Sequence, residues 1–235
     1  MKIRELSVFS PAYNEEKNLE NTVVRAINVL EKIAQKWEII IVNDGSTDKT
    51  GEIAEKLSRE DKKVRVVSHW VNKGYGAAFR SGVYTARYEW IAFTDSDGQF
   101  DFSEITKFLD KQRQTGCDLV IGYYLKRAVP WHRRINTFFW ELFVSILFGL
   151  KVRNIDCGFK FFSKKVIDNI PNLESERGAF ISSEFLIKAK RAGFKIAEVG
   201  VHHYPRRSGQ ATGASLRVIV KSFVDLVKLW GKLRE

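Results

Sequence analysis

Glu38-Ile39-Ile40-Ile41-Val42-Asn43-Asp44-Gly45-Ser46-Thr47-Asp48 is the stretch that decides the fold. Four consecutive β-branched residues, Ile39 to Val42, read as a strand covered on both faces, since a strand with one wet face would alternate apolar with polar. The polarity then changes at once. Asn43-Asp44-Gly45 is turn chemistry, and Ser46, Thr47 and Asp48 are helix N-cap residues for a helix through Leu57. A buried strand, a polar turn and a capped helix form the repeating half-unit of a parallel α/β sheet.

The same grammar recurs outward. Leu6 to Phe9 reads as a strand, followed by a helix over Glu16 to Ala34 with Leu19, Val23, Ile27, Leu30 and Ile33 on one face. Strands over 64–67, 90–93 and 118–122 alternate with helices over 77–86 and 102–115. The expected fold class is α/β, a Rossmann-like, mostly parallel sheet with helices on both faces. Right-handed crossovers bring the strand C-termini to one edge, where ligands of such sheets bind.

Three polar clusters lie at that edge: Pro11-Ala12-Tyr13-Asn14-Glu15-Glu16, Asn43 to Asp48, and Asp95-Ser96-Asp97-Gly98-Gln99. Pro11 and Tyr13 suit a flat ring, and Glu15 suits a ribose hydroxyl. Asp44, acceptor-only when ionised, suits a base N–H or a ribose hydroxyl. Asp95 and Asp97 offer paired hard oxygens, with Gln99 a further one, and this donor set fits Mg²⁺ or Mn²⁺ with a diphosphate. A dinucleotide-binding oxidoreductase is the weaker reading: Gly74-x-Gly76 is followed by Phe79 where the third glycine of the fingerprint belongs.

With Asn72-Lys73-Gly74-Tyr75-Gly76-Ala77-Ala78 and Asp156-Cys157-Gly158-Phe159-Lys160 added, these motifs resemble the family-two inverting glycosyltransferases of GT-A fold, especially the polyprenyl (dolichyl) phosphate mannose and glucose synthases. The resemblance covers residues 6–205. It implies that Pro11, Tyr13, Asn14, Glu15, Asp44, Lys73 and Ser96 contact the nucleotide sugar. It implies that Asp95 faces sugar and nucleotide, that Asp97 and Gln99 hold the metal, and that Arg206 lies in a loop over the diphosphate. Ser96 stands where that family usually has Ala. Asp156 is the candidate for orienting the acceptor or acting as a base.

The second half has a different character. Residues 1–120 carry 18 Lys/Arg against 19 Asp/Glu, and residues 121–235 carry 21 against 9. The excess predicts an anionic partner, either a lipid surface, a phosphate substrate or nucleic acid. The clustered carboxylates oppose nucleic acid, so none is expected. Lys126, Arg127, Arg133 and Arg134 precede an apolar run over 138–150, too short for the roughly 20 residues of a bilayer span. That run and the amphipathic stretch Leu216 to Leu233 suit an interfacial position on a membrane, a buried packing role being the alternative. Arg127, Arg133, Arg134 and Arg207 are the candidates for an acceptor phosphate, which Arg binds bidentately. The chain reads as a nucleotide-sugar-binding half, 1–122, and an acceptor-binding, membrane-facing half, 123–235, of one continuous domain. Two cysteines without paired spacing and no signal-peptide pattern predict a cytoplasmic, peripherally membrane-associated protein.

The expected reaction is metal-dependent transfer of a hexose from UDP-glucose or GDP-mannose to polyprenyl phosphate with inversion. A saccharide hydroxyl as acceptor would demand a base, Asp156 or Glu184. A basic nucleic-acid-binding module is the non-enzyme alternative. His202-His203, read as part of a strand, would point to opposite faces.

Overall fold

The computed structural model describes residues 2–125, 131–175, 180–206 and 216–233, with backbone only at 131–136 and 216–221. Strands β1 (Ile3–Ala12), β2 (Ala34–Asp44), β3 (Val64–His69), β4 (Trp90–Thr94), β5 (Leu119–Tyr124), β6 (Phe159–Ser163) and β7 (Ile196–Val201) form one sheet in the order β3-β2-β1-β4-β6-β5-β7. All neighbours are parallel except β6, which runs antiparallel to both β4 and β5. The alternating pattern of the first half foretells the parallel part. The reversed strand comes from the second half, where no such alternation announces it.

Period-two alternation divides the core. Phe9, Ile40, Val42, Ile91 and Phe93 face one layer, and Leu6, Val8, Ile39, Ile41 and Ala92 face the other. The second layer is covered by α1 (Leu19–Ile33), α2 (Thr50–Glu60) and α4 (Ile105–Thr115). The first is covered by α3 (Tyr75–Thr85), α5 (Trp131–Phe148), α7 (Phe180–Arg191) and α8 (Leu216–Lys232), while the short α6 (Lys164–Asp168) follows β6. Both faces of the sheet are thus dry, which explains why Ile39 to Val42 need no polar alternation.

Helices α5 and α8 are only partly absorbed by this core. Val144, Leu226 and Leu229 are buried, and Phe223 meets the rings of Trp140 and Phe143 at 5.2 and 5.5 Å. Phe138, Phe139, Leu142, Phe143 and Ile146 of α5 remain exposed, as do Val224 and Val227 of α8. The alternative of a packing role holds for the buried residues of both helices, while this apolar face is left outside the core. Among the described residues, no helix is long and apolar enough to cross a membrane.

Candidate active site

The ends of β1 and β2 are stapled to one another. Asn14 adopts a left-handed φ of 56°, which its short polar side chain tolerates. Its Oδ1 accepts from Thr47 N at 2.9 Å, and its own N–H donates to Ser46 Oγ at 3.1 Å. Glu15 N–H donates to Thr50 Oγ1 at 2.7 Å. These bonds turn the Glu15 carboxylate inward, where burial raises its pKa despite the Asn18 amide 2.7 Å away. Tyr13 stays outside with its ring exposed. Ser96 donates to the Pro11 carbonyl at 2.5 Å and ties the end of β4 to β1. The Asn14 Oδ1 and the Ser96 hydroxyl hydrogen, both on side chains expected at the nucleotide, thus bond backbone groups and shape the loops.

Asp44 ends β2 and is directed into the following loop. Its carboxylate accepts from Lys73 N at 2.9 Å and from Gly74 N at 2.8 Å. His69, its register partner at the end of β3, sits 2.6 Å from Oδ1. The close approach needs a bare neighbour. Gly45 has φ +66°, and a Cβ there would lie 2.3 Å from the Val71 carbonyl carbon. Asp44 thus organises residues 72–74, and the Lys73 side chain stands exposed above them.

That loop leads into the carboxylate pair. Tyr75 opens α3, and its hydroxyl donates to Asp95 Oδ1 at 3.0 Å. Asp95 is packed so closely that a Cβ on Gly158 would fall 2.0 Å from its Oδ2. Burial, then the neighbouring Asp97 charge, push the Asp95 pKa up to about 7, against the pull of Tyr75, Lys160 and Arg206. Burial and Asp95 in turn push the Tyr75 phenol well above its ordinary value. Lys160, on β6, is itself fully buried, with its ammonium on the Cys157 carbonyl and Ser182 Oγ. Burial lowers its pKa, and the nearby Cys157, Asp156 and Asp95 oppose that.

Asp97 takes the other role. Its Oδ1 accepts from Gln99 N at 3.0 Å, closing the turn at Gly98, and its Oδ2 accepts from Arg206 Nη2 at 2.8 Å. The other arm of that guanidinium reaches Glu15 Oε1 at 3.1 Å. One cation therefore bridges carboxylates from the ends of β1 and β4. Gln99 donates its side-chain amide to the Tyr204 carbonyl, and Tyr204 N–H returns to the Gln99 carbonyl. Its Oε1 is left as the acceptor of the side chain.

Among the described residues, no group of three or more His, Cys, Asp or Glu side chains forms a metal cage. The donor set still fits a hard divalent cation. Two adjacent carboxylates and an amide oxygen present hard oxygens, and Asp97 already accepts a full positive charge from Arg206. A diphosphate would have to supply the remaining oxygens.

Other expected residues fall elsewhere. Asp156 is half-buried in the turn before β6. Glu184 is not poised as a base. It accepts from Lys188 Nζ at 2.6 Å, from Glu174 N at 2.8 Å and from Ser175 N at 2.9 Å. Burial works to raise its pKa, but the bonds from Lys188 and Ser175 prevail and lower it. His202 and His203 lie past the end of β7, not within a strand. His202 pairs with Glu104 at 2.8 Å, and His203 packs on Phe100 and Tyr124. Arg127 and Arg207 lie outside the described residues, as do the side chains of Arg133 and Arg134. His69, Tyr75, Gly158 and Lys160 received no role from the sequence. Tyr75 lies inside the Asn72 to Ala78 motif, and Gly158 and Lys160 inside Asp156 to Lys160, so motif membership was their signal, while His69 had only its position at the end of β3.

Comparison with known proteins agrees with this fold. The chain spans a little over a third of one archaeal relative, glycosyltransferase AglD of Haloferax volcanii, at 28% identity over 97% of the chain and 37% of that protein. A dolichyl-phosphate beta-glucosyltransferase of Trichomonas vaginalis is 30% identical over 95% of the chain and 72% of its own length. Among solved structures, glucosyl-3-phosphoglycerate synthase from Mycobacterium tuberculosis, in complex with Mn²⁺, uridine diphosphate and glucosyl-3-phosphoglycerate, superimposes with a TM-score of 0.71 at 23% identity. That match covers 97% of this chain and 80% of that one, and it shows the shared GT-A fold. The model for "Glycosyl transferase family 2" matches residues 7–170, and the chain belongs to that family.

Proposed function

We propose that this protein transfers a hexose from a nucleotide sugar to a polyprenyl phosphate with inversion of the anomeric centre. The observation that carries the reading is the Arg206 guanidinium held between Glu15 and Asp97, beside buried Asp95. It marks a pocket of negative charge at the strand ends that already holds a cation. A divalent cation with its diphosphate is the natural exchange partner. The relatives named dolichyl-phosphate beta-glucosyltransferase support the acceptor class.

Each residue then has a task. Tyr13, at the mouth, offers a face for the base, and Asp44 offers its remaining lone pair to a base N–H. Lys73 lies beside the nucleotide. Asp97 and Gln99 hold Mg²⁺ or Mn²⁺, with Asp95 beside them facing the sugar. When bound, the metal neutralises charge on the departing diphosphate. Arg206, released from Asp97, is placed to bind diphosphate oxygens. An acceptor phosphate has its second pKa near 6 and is largely dianionic at neutral pH. Its oxygen attacks the anomeric carbon as the bond to the nucleoside diphosphate breaks. Such a nucleophile needs no strong base, whereas a saccharide hydroxyl would need one, and the commitment of Glu184 to Lys188 leaves Asp156 as the candidate for it.

The exposed apolar face of α5 and α8, with Lys228 beside it, supports peripheral attachment to a membrane surface, which we place on the cytoplasmic side as an expectation from the sequence alone. Arg127, Arg133, Arg134 and Arg207 are the proposed contacts to the acceptor phosphate. The test is incubation of UDP-glucose and GDP-mannose with Mg²⁺ or Mn²⁺ and a short polyprenyl phosphate, read by product mass. A lipid-linked hexose is expected from one donor, and its absence with both would defeat the acceptor assignment.

A further inference from the structure

At the ends of β2 and β3, Asp44 is joined by His69 and, through it, Ser81, two side chains to which the reaction above gives no task. His69 Nδ1 lies 2.6 Å from Asp44 Oδ1, and His69 Nε2 lies 2.8 Å from Ser81 Oγ. The His69 and Asp44 side chains are 8% and 4% exposed. Asp44 accepts only, so the Nδ1–H must donate to it. Ser81 also lines a shallow groove with Val67, Lys73, Arg80 and Tyr84.

A serine, a histidine and an aspartate in line suggest a nucleophile, but the surroundings argue otherwise. Ser81 lies inside α3, where the nearby backbone N–H groups are spent on the helix and so offer it no oxyanion hole. Asp44 is also committed elsewhere, through Lys73 N and Gly74 N. The chain of bonds runs inward, from Ser81 through His69 to Asp44 and the 72–74 loop.

We infer that His69 is a positioning residue for nucleoside recognition, fixing the Asp44 carboxylate while Ser81 fixes the imidazole. The inference rests on Asp44 as a nucleoside contact, proposed above. With Oδ1 taking His69 and Lys73 N, and Oδ2 taking Gly74 N, a lone pair on Oδ2 is left for a ligand donor. Removing the Nδ1–H takes away one of the two bonds to Oδ1, loosens the carboxylate on its remaining Lys73 and Gly74 N–H donors and blurs the direction of that lone pair. Lys73 and Gly74 hold the loop in either case, so the defect belongs to donor binding.

Two amides separate this role from packing. The Nδ2 of an asparagine falls near the imidazole Nδ1 and can still donate to Asp44. The Nε2 of a glutamine falls near the imidazole Nε2 and can reach only Ser81. The experiment is titration calorimetry of UDP-glucose and GDP-mannose with Mn²⁺ on wild type, His69→Asn, His69→Gln, His69→Leu and Ser81→Ala, with kcat, KM and thermal midpoint measured alongside. His69→Leu and His69→Gln should weaken the donor Kd about tenfold, the scale of one charge-assisted hydrogen bond. Their kcat at saturation should change by less than about twofold, the pattern of lost uniform binding. His69→Asn should restore the wild-type Kd, and Ser81→Ala should fall between. Wild-type affinity in His69→Leu, or equal losses in His69→Asn and His69→Gln, would overturn the inference. If wild type binds neither nucleotide sugar, the nucleoside reading fails first and takes the inference with it.

Discussion

Replacing Asp95 by Asn should stabilise the metal-free protein while abolishing its turnover. The wild-type carboxyl has its pKa moved from 3.8 to about 7 by burial and by Asp97. The folded state therefore holds this proton more tightly than the unfolded chain does. That contribution to stability is complete below pH 3.8 and is lost as the pH rises through about 7. The displacement corresponds to about 4 kcal/mol at pH 8.5. Asn carries no charge and can still accept from the Tyr75 hydroxyl, but it buries an amide N–H₂ beside Gly158. Allowing about half for that cost leaves about 2 kcal/mol, or roughly 4–8 °C in Tm for a chain of this length. Calorimetry in a chelator at pH 5.5 and 8.5 is the assay. Wild-type Tm should fall between the two pH values, and the fall should be much smaller in Asp95→Asn. An equal fall in both proteins, or a variant less stable at pH 8.5, would refute the charge argument.

Arg206→Ala should tighten Mn²⁺ binding in the absence of nucleotide by about tenfold, because the guanidinium no longer competes for Asp97. Turnover should fall in the same variant, and electron paramagnetic resonance of free Mn²⁺ would show the opposite sign if Arg206 assists the metal. Gly158→Ala places a Cβ 2.0 Å from Asp95 Oδ2. It should cost about 2 kcal/mol of stability and lower kcat on the order of 100-fold through displaced geometry, as steady-state kinetics and urea melts would record. Glu184→Gln leaves Lys188 buried without its partner charge, so a loss of about 3 kcal/mol is expected by denaturation. Its kcat per folded molecule should stay within about twofold, since a removed catalytic base would cost on the order of 100-fold or more.

The sequence was most readable where local physics and topology say the same thing. The uniform apolar run Ile39 to Val42 announces a strand dry on both faces, and both core layers touch it. The clusters at the ends of β1, β2 and β4 converge because parallel neighbours end on one side. What could not be read is the direction of a side chain once a loop closes. Ser96 and Asn14 sit in the motifs, yet each spends its side chain on a backbone partner from another cluster. Residue type and spacing carry no record of that. The reversed β6 was equally hidden. Phe159 to Ser163 is fully buried, and a short buried strand shows no polarity pattern to reveal its direction.

The split of charge between the halves has a second explanation in the site. Read alone, the basic second half suggests an anionic partner outside the molecule. Part of that charge faces inward instead. Arg206 bonds Glu15 and Asp97, and Lys160 draws the Asp95 pKa downward, so cations from the second half offset carboxylates of the first. A crevice with three carboxylates close together would otherwise repel itself, the more so because burial weakens screening by water. The compensation is unequal. Arg206 meets Asp97 through a partly exposed guanidinium, while Lys160 is sealed behind Asp95. A site built for a permanent charge would seal both. Leaving the cation at Asp97 open to water, and the one behind Asp95 closed, fits a metal site in which only the Asp97 side must exchange.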